Sequence, residues 1–530
     1  MEYRLKPWAH QAKIIDKVEA EKTKHFALFH DMGSGKTKTL TEIYRLKCYE
    51  HDRLLKMLII CPIAVLENWK REICTHTYIT SDKIQVIDGM SAVKQYDKVL
   101  KNPSKKRLNE QLNSGKPIMI INTEKVGNAS VWGAIYDFAP EFIAVDEAHR
   151  FKDPLGKRVK TFHKFLNEVN PQYRFILTGS PILNSQLDIW SQFYILNPDI
   201  LGRNFYSFRA EYFYDANSGM PSNVHFPNWK VKDAKFYKAM GMEGASEKDT
   251  ISKLNKIIYA HADRVMKKDV LDLPPIVYQK LEVSMTREQE KIYKDMEDDA
   301  VSFIKENNID FSNIQSVLNS DISELDNIMS ADTALVKILR LQQVIAGAFV
   351  KDESKEVEYI KNNRYKVLDD TLTEILANKE NKVIIWSVFA TTYNPLAEIV
   401  EKHTSDYTFL TGLQNTKEKQ ENIDRFNNDP NCRVIIANQG AGGTGVNLTA
   451  SNYSIYFTRS FKLEHDLQSE ARNYRGGQNR TVTRIDLVTP NSIDQEILVA
   501  LNDKKIMAED ILDTKKEFTA RDILGLIKSH

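Results

Sequence analysis

The sequence predicts an α/β fold with two parallel sheets that carry helical insertions. Short apolar segments alternate with helical patterns in two separate series, one before residue 204 and one after residue 366. Such alternation is typical of parallel sheets, whose ligand sites lie at the carboxyl ends of the strands. The length of 530 residues fits about two to four domains.

The composition predicts a folded protein without an overall preference for polyanions. Hydrophobic residues make up 42%, and 73 Lys and Arg against 72 Asp and Glu leave a net charge of +1. A site for nucleic acid must therefore be a local feature of the surface. No apolar run reaches the roughly 20 residues that span a bilayer, and the first residues lack the apolar segment of a signal peptide.

Cysteine usage indicates neither a zinc site nor a disulfide framework. The chain has four cysteines, and no two of them form a Cys-x-x-Cys pair: Cys48, Cys61, Cys74 and Cys432. Either kind of site would need several cysteines at characteristic spacings. We therefore expect a protein of a reducing cytoplasm without membrane attachment.

The first series opens with a strand that leads into a glycine-rich turn. Phe26 to Phe29 form an apolar run, and the turn before the next helical pattern consists of Gly33, Ser34, Gly35, Lys36 and Thr37. Glycines let backbone N–H groups surround a polyphosphate. Lys36 would reach the β- and γ-phosphates, and the Thr37 hydroxyl would hold Mg²⁺. His30 replaces the first glycine of the longer phosphate-loop pattern, so a plain glycine turn is the alternative.

Further strands of this series are predicted at residues 57–62, 117–123, 142–145 and 174–181. Asp146 and Glu147 directly follow the third of these. Asp146 would coordinate Mg²⁺, directly or through water, and Glu147 would orient and deprotonate an attacking water. The alternative is an acidic surface turn.

The middle of the chain predicts a helical insertion and a linker. Between residues 204 and 270, aromatic residues are interleaved with lysines at helical spacing. This pattern could stack bases and hold phosphates. We favour the simpler interpretation, in which the aromatics form a core and the lysines a solvated face. The prolines of Leu271–Pro275 predict a linker, and residues 286–350 show helical patterns with a polar interruption near 306–332.

The second series predicts strands at residues 383–387, 407–412, 433–437, 453–457 and 483–488. Glycines, Gly445 among them, follow the third strand and could approach an anion, although a flexible loop is the alternative. Arg472 and Arg475 would share one face of a helix and could clamp a γ-phosphate, unless they belong to a salt-bridged surface helix. Because this series lacks a phosphate loop, one nucleotide could lie between the two sheets.

The ordered set of motifs resembles the Swi/Snf-like branch of the superfamily-two helicase ATPases. The matching stretches are Asp31–Thr37 (motif I), Cys61–Trp69 (motif Ia), Asn122–Glu124 (motif Ib), Asp146–His149 (a DEAH-type motif II), Leu177–Asn184 (motif III), Arg264–Pro274 (the stretch that leads into the second lobe), Ala441–Leu448 (motif V) and Gln468–Gln478 (motif VI). The resemblance implies two RecA-like lobes with helical insertions and with ATP in the cleft between them.

The implied domains are lobe 1 at residues 1–203, a helical insertion and linker at 204–275, the start of lobe 2 with a helical insertion at 276–365, and lobe 2 with C-terminal helices at 366–530. The resemblance implies that Gln11 reads adenine, although Trp8 and Ala9 lengthen its distance from Pro7. It also implies that motif V contributes Gly445 to the nucleotide site.

Motif VI supplies Arg472 and Arg475, of which Arg475 is the preferred arginine finger. Phe461 stands where the family often has tryptophan, and Asn438 replaces the usual motif V serine. The residues implied to contact DNA are Asn68, Thr123, Asn438 and Gln439.

The function implied is that of an ATP-driven motor on double-stranded or branched DNA, with ATP and Mg²⁺ as cofactors. A compact bacterial or bacteriophage member, in the cytoplasm of a bacterial or phage-infected cell, fits the absence of readable accessory modules. The alternatives are a strand-separating DNA or RNA helicase and a non-motor module that uses ATP as a switch for DNA binding.

Overall fold

The computed structural model describes residues 3–87, 116–127, 129–183, 185–219, 229–242, 247–306, 339–350, 357–440 and 446–512. The strands are β1 (His25–His30), β2 (Met57–Cys61), β3 (Ile84–Ile87), β4 (Ile118–Asn122), β5 (Phe142–Asp146), β6 (Tyr173–Leu177), β7 (Phe213–Asp215), β8 (Trp229–Val231), β9 (Ala262–Val265), β10 (Ile276–Glu282), β11 (Ala348–Val350), β12 (Val357–Tyr359), β13 (Val383–Trp386), β14 (Tyr407–Leu410), β15 (Val434–Ala437), β16 (Tyr453–Tyr456) and β17 (Val482–Val488).

The helices are α1 (Ala9–Ala20), α2 (Lys36–Glu50), α3 (Leu66–His76), α4 (Ala129–Phe138), α5 (Lys157–Val169), α6 (Asp188–Leu196), α7 (Phe205–Tyr212), α8 (Ala234–Ala239), α9 (Glu247–Ala260), α10 (Lys267–Val270), α11 (Arg287–Glu306), α12 (Asn363–Leu376), α13 (Tyr393–Glu401), α14 (Thr416–Asn428), α15 (Leu463–Asn473) and α16 (Ile493–Leu512). Within the described ranges, no helix combines the length and apolarity needed to cross a membrane.

The first sheet has seven strands in the order β3-β4-β2-β5-β6-β1-β9, and all its pairs are parallel. Its strands are continuous apolar runs because both faces are covered. Ala27 and Phe29 belong to one buried cluster, while Phe26 and Leu28 belong to the cluster on the opposite face. Burial on both faces is usual for parallel sheets. The ends of β5, β6 and β1 are thereby brought to one edge.

The second sheet has six strands in the order β10-β17-β16-β13-β15-β14, again all parallel. The same alternation covers both faces, since Val383 and Ile385 belong to one cluster and Ile384 and Trp386 to another. The predicted α/β fold with two parallel sheets is confirmed.

Three strands of the two sheets were absent from the sequence prediction. β3 lies at one edge of the first sheet, β9 pairs with β1 at its other edge, and β10 pairs with β17 at the edge of the second sheet. Segment 204–275, predicted as a helical insertion and linker, therefore also carries an edge strand of the first sheet. Ala262–Val265 is short and polar in its middle, so its sequence shows no strand period.

The aromatic residues of the middle region pack into the first core. Phe208, Tyr212 and Phe213 are buried in the cluster that covers one face of the first sheet. The Arg209 guanidinium lies over the ring of Trp229, 3.9 Å from its centre. These contacts agree with the interpretation of the aromatics as core. Most of the polar interruption near residues 306–332 lies outside the described residues.

The two halves of the chain also share a core. Leu183, in the loop after β6, packs in one buried cluster with Phe461, Leu463 and Ile497 of the second half. The loops at the carboxyl ends of the first sheet therefore face the second sheet's domain.

Candidate nucleotide site between the two sheets

The glycine-rich turn has the backbone of a phosphate loop. β1 ends at His30, and α2 begins at Lys36. Gly33 and Gly35 adopt φ values of +86° and +82°, which glycine reaches at little cost and other residues seldom adopt. The first backbone N–H groups of α2 have no helical partners and can bind an anion. The predicted strand, turn and helix are all present.

Backbone carbonyls hold Lys36 at the mouth of this turn. Nζ of Lys36 donates hydrogen bonds to the carbonyl oxygens of His30, at 2.7 Å, and Asp31, at 3.3 Å. The Ser34 hydroxyl also donates to the Asp31 carbonyl, at 2.7 Å. Thr37 lies in the first turn of α2, directly after Lys36. An arriving phosphate would replace carbonyl partners of the ammonium.

Gln11 lies against the phosphate loop in α1. Its side chain is buried, Oε1 accepts a hydrogen bond from the Trp8 N–H at 2.9 Å, and Nε2 donates to the Gly35 carbonyl at 3.1 Å. A Cβ at Gly35 would lie only 2.2 Å from this Nε2. Both ends of the amide thus bind the chain itself. The reading of adenine by Gln11 stays a prediction, whereas its support of the loop is a finding.

Asp146 is the last residue of β5, and two donors orient its carboxylate. Oδ2 accepts a hydrogen bond from Nε1 of Trp69 at 2.8 Å, and Oδ1 accepts one from the N–H of Glu147 at 2.9 Å. Burial and the neighbouring Glu147 raise the pKa of Asp146 to about 6, although Lys36 and the Trp69 hydrogen bond act in the opposite direction. Lys36 of the phosphate loop is therefore close enough to Asp146 to interact with its carboxylate electrostatically.

Glu147 has a left-handed backbone, with φ of +49°. Its side chain is buried, and Oε2 accepts no hydrogen bond from the described residues. This oxygen lies 3.4 Å from Nδ1 of His149, which is 3.0 Å from the Thr178 hydroxyl. An unpaired buried carboxylate oxygen is costly. A water or cation bound at the site would remove that cost.

These residues fit Mg²⁺. The pKa of Asp146 is raised, and Oε2 of the adjacent Glu147 accepts no hydrogen bond from the described residues, so a cation would compensate this pair. Mg²⁺ typically takes only one or two carboxylates together with phosphate oxygens and water. Such a site needs no larger cluster, and the described residues contain no group of three or more His, Cys, Asp or Glu suited to a metal. Thr37 and Asp146 would be its protein ligands.

The two arginines come from the end of α15. Arg472 is 3% exposed and lies in the last turn. Arg475 follows the end of that helix, so the prediction that both arginines share one helical face was wrong. The helix ends at Asn473, and the backbone of the next residue, Tyr474, has already left the helical region, with φ of −98° and ψ of 79°.

The arginines still converge on one place. Nη1 of Arg472 and Nη1 of Arg475 lie 3.4 and 3.3 Å from the carbonyl oxygen of Val446. Burial and the repulsion from Arg475 lower the pKa of Arg472 to about 10, while Glu147 and Glu464 oppose the shift. Arg472 is therefore close enough to Glu147, the candidate base, to interact with it electrostatically.

The two sheets bring their halves of the site close together. A Cβ at Gly33 would lie 3.5 Å from the Cβ of Arg475 and 3.8 Å from the N of Gly476. The gap between the phosphate loop and the loop of Arg475 and Gly476 (the arginine loop) is therefore about the width of one methyl group. The separation along the chain exceeds four hundred residues, and only the packing of the two domains joins them.

Three further residues near the site were not selected from the sequence. Trp69 orients Asp146, Glu464 lies beside His149, and Lys267 lies between the two loops. Trp69 and Lys267 fall within stretches that match family motifs, which was the only signal in the sequence. Glu464 sits in an ordinary amphipathic helix and gave none.

The predicted DNA-contacting residues have diverse surroundings. Asn68 is half-buried and accepts a hydrogen bond from Arg71 at 2.6 Å, and Thr123 is buried. Asn438 donates to the Val388 carbonyl at 2.9 Å. Gln439 is 3% exposed, and its amide binds within the second domain on both sides. The side-chain amides of Asn438 and Gln439 are thus hydrogen-bonded within the second domain. Gly445 lies outside the described residues.

Comparison with protein families assigns the chain. The SNF2-related domain matches residues 13–344, and the helicase conserved C-terminal domain matches residues 363–477. The chain belongs to the SNF2-related family. The first match spans more than half of the sequence and contains the phosphate loop and the acidic pair, and the second ends within the arginine loop.

Relatives of this SNF2-related chain are large proteins. The DNA repair and recombination protein RAD54-like of Gallus gallus is 24% identical over 94% of this chain and 65% of its own length. An uncharacterized ATP-dependent helicase of Mycoplasma genitalium is 24% identical over 91% of this chain and 40% of its own. Human chromodomain-helicase-DNA-binding protein 1 is 23% identical over 94% of this chain and 26% of its own length. The chain thus spans less than two thirds of the length of these relatives.

Among solved structures, the chain is similar to the Sulfolobus solfataricus SWI2/SNF2 ATPase core in complex with dsDNA. The two share 22% identity over 96% of this chain and 93% of that chain, with a TM-score of 0.39.

Proposed function

We propose that this SNF2-related protein is an ATP-driven motor that translocates on double-stranded DNA. The observation that supports it is the close approach of the phosphate loop and the arginine loop, where a Cβ at Gly33 would lie 3.5 Å from the Cβ of Arg475. A nucleotide bound there touches both sheets, so its hydrolysis changes how the two domains are held together. The named relatives in DNA repair and chromodomain-helicase-DNA-binding proteins support DNA as the partner.

The binding half of the site comes from the first sheet. The N–H groups of Gly33–Thr37 would surround the β-phosphate, and Lys36 would exchange the His30 carbonyl for phosphate oxygens. Gly33 and Gly35 permit this because neither has a side chain in the path. Mg²⁺, held by Thr37 and Asp146, would supply charge neutralisation on the β- and γ-phosphates.

The hydrolytic step uses residues of both sheets. Oε2 of Glu147 orients a water for in-line attack and takes its proton, while the bond from the γ-phosphorus to the β-phosphate oxygen breaks and ADP leaves. Arg475 and Arg472 compensate the negative charge on the γ-phosphoryl oxygens. Because these arginines belong to the second domain, they contact the γ-phosphate only when the cleft is closed.

The motor follows from alternation between the closed and open cleft. ATP favours closure, since it binds both loops, and loss of the γ-phosphate removes the contact on the second side. If each domain holds the phosphate backbone in turn, the protein advances with little sequence preference. A bacterial or bacteriophage origin, a cytoplasmic location and the domain boundaries stay predictions.

The test is the steady-state ATPase rate with no nucleic acid, duplex DNA, single-stranded DNA, RNA and a DNA fork. We expect duplex DNA to give the largest stimulation, with displacement of a triplex-forming strand in the presence of ATP. Absence of stimulation by every nucleic acid would contradict the proposal. Preference for RNA or single strands would favour a strand-separating helicase, and a single turnover followed by arrest would favour an ATP-dependent switch.

A further inference from the structure

Lys267 lies in the segment that joins the two sheets, at the start of α10, between β9 and β10. Its backbone N–H donates a hydrogen bond of 2.8 Å to Oδ2 of Asp31. Its side-chain Nζ donates one of 2.7 Å to the carbonyl oxygen of Tyr474 and lies 4.6 Å from the centre of the Tyr474 ring. One residue of the connection therefore binds both sides of the cleft.

The two partners of Lys267 are neighbours of the catalytic groups. Asp31 belongs to the phosphate loop, and its carbonyl accepts a hydrogen bond from Nζ of Lys36 at 3.3 Å. Tyr474 immediately precedes Arg475, and the peptide carbonyl that Lys267 binds is the one that links these two residues. A shift of this carbonyl moves the Arg475 backbone directly. Lys267 lies more than 200 residues along the chain from both the phosphate loop (motif I) and motif VI, so it belongs to neither of them.

The environment of Lys267 is unusual for a lysine. Burial lowers its pKa, Glu470 and Asp31 oppose this shift, and Arg475 adds to it. A buried ammonium is costly unless its protons find acceptors, and the Tyr474 carbonyl and ring supply them. The next residue, Lys268, points to solvent. The side chain of Lys267 is thus tied to one partner on the second domain.

We propose that Lys267 is a positioning residue that fixes the Arg475 loop relative to the phosphate loop in the closed cleft. The inference rests on the proposed ATPase function and extends it to a residue that does not contact the nucleotide. Its backbone bond to Asp31 anchors it on the first domain, and its side chain holds the Tyr474 carbonyl. Arg475 then reaches the γ-phosphoryl group in one defined geometry.

The experiment compares Lys267→Met with Lys268→Met and with Lys267→Arg. Methionine keeps the apolar stem and the backbone bond to Asp31 but has no donor for the Tyr474 carbonyl. We expect Lys267→Met to lower kcat about tenfold with the KM for ATP changed less than about twofold, because positioning acts on the transition state. Lys268→Met should match the wild type, and Lys267→Arg should restore part of the turnover.

A double-mutant cycle with Arg475→Ala separates positioning from a general effect on folding. If Lys267 acts through Arg475, Lys267→Met should change turnover less than about twofold once Arg475 is absent. An equal loss in both backgrounds would overturn the proposal, as would a kcat of Lys267→Met within about twofold of the wild type. Should Lys267→Met lower the unfolding midpoint, Lys267→Gln repeats the cycle, with the same two outcomes.

The measurement is made both without nucleic acid and with duplex DNA. Failure of DNA to stimulate the wild type would contradict the motor and leave the cycle on basal hydrolysis as the test of Lys267. Stimulation of the wild type together with additive effects of Lys267→Met and Arg475→Ala would contradict the positioning role alone.

Discussion

Nε2 of His149 lies 3.3 Å from Oε1 of Glu464, and this pair joins the acidic loop after β5 to helix α15 of the second domain. On its other side, Nδ1 of His149 is 3.4 Å from Oε2 of Glu147. Burial raises the pKa of Glu464, but the nearby His149 and Arg150 lower it by a larger amount. The net pKa lies well below its ordinary value, so this carboxyl stays ionised. The imidazole therefore lies between the candidate base and a negative charge that the second domain supplies.

Replacement of Glu464 tests this contact. Glu464→Gln keeps the size of the side chain and an acceptor for Nε2 of Gln468, which now donates to Glu464 at 2.9 Å. The loss of charge beside His149 should lower kcat about three- to tenfold with little change in the KM for ATP. Glu421→Gln, on the exposed face of α14, is the control. Equal rates for the two variants would exclude a role for Glu464.

Trp69 offers a test of the proposed Mg²⁺ site. Trp69→Phe keeps a buried ring but removes the donor to Asp146, whose raised pKa of about 6 should then rise further. An acid with a raised pKa is ionised only above it, so Mg²⁺ binding should weaken several-fold near pH 6.5 and less near pH 8. The readout is the Mg²⁺ concentration that gives half-maximal ATPase activity at each pH. Trp132→Phe, whose indole donates to the Val126 carbonyl away from the site, is the control. The same weakening at both pH values would contradict this account.

The contact of Gln11 with the phosphate loop predicts the effect of a methyl group. Gly35→Ala places a Cβ 2.2 Å from Nε2 of Gln11 and forces alanine into φ of +82°. The strain should cost about 1 kcal/mol of the free energy of unfolding and raise the KM for ATP at least about tenfold. Gly412→Ala is the matched control, because a Cβ added at Gly412 has no atom within 4 Å. An unchanged KM in Gly35→Ala would show that Gln11 does not shape the loop.

The candidate base and the phosphate-binding lysine should fail in different ways. Glu147→Gln removes the proton acceptor while keeping the shape, so turnover should fall about 10²- to 10⁴-fold and ATP should still bind. Lys36→Ala removes a phosphate contact, so binding itself should be lost. Binding of a fluorescent ATP analogue, measured beside turnover, distinguishes the two. Turnover by Glu147→Gln near the wild-type rate would assign the base to another residue.

The sequence predicted what continuous patterns encode and missed what depends on packing. β1 was predicted from its apolar run Phe26–Phe29 and β13 because every residue is apolar. β9 has Asp263 and Arg264 in its middle and becomes a strand only by pairing with β1. Arg475 lies near the phosphate loop, and its role as the arginine finger stays a prediction, whereas its predicted place on a helix was wrong.

The contacts that residues make across the cleft cannot be read from the local sequence. Glu464 looks like an ordinary charged residue on a helix, and Lys267 was marked only by its place in the motif stretch Arg264–Pro274. Only the packing of the two domains gives both residues their partners. Lys36 and Asp146 were predictable since each belongs to a motif directly after a strand, where the chain itself fixes the geometry. Trp69 lies in between, because its motif was recognised but the hydrogen bond to Asp146 was not.

The central claim is that Arg475 of the second domain completes an ATP site built on the first sheet. The most direct measurement is the ATPase rate of Arg475→Ala with and without duplex DNA, beside ATP binding and beside Arg287→Ala, an exposed arginine at the start of α11. We expect Arg475→Ala to bind ATP like the wild type but to turn over at least about 10²-fold more slowly and to gain little from DNA. Turnover and DNA stimulation of Arg475→Ala equal to those of the wild type would contradict it.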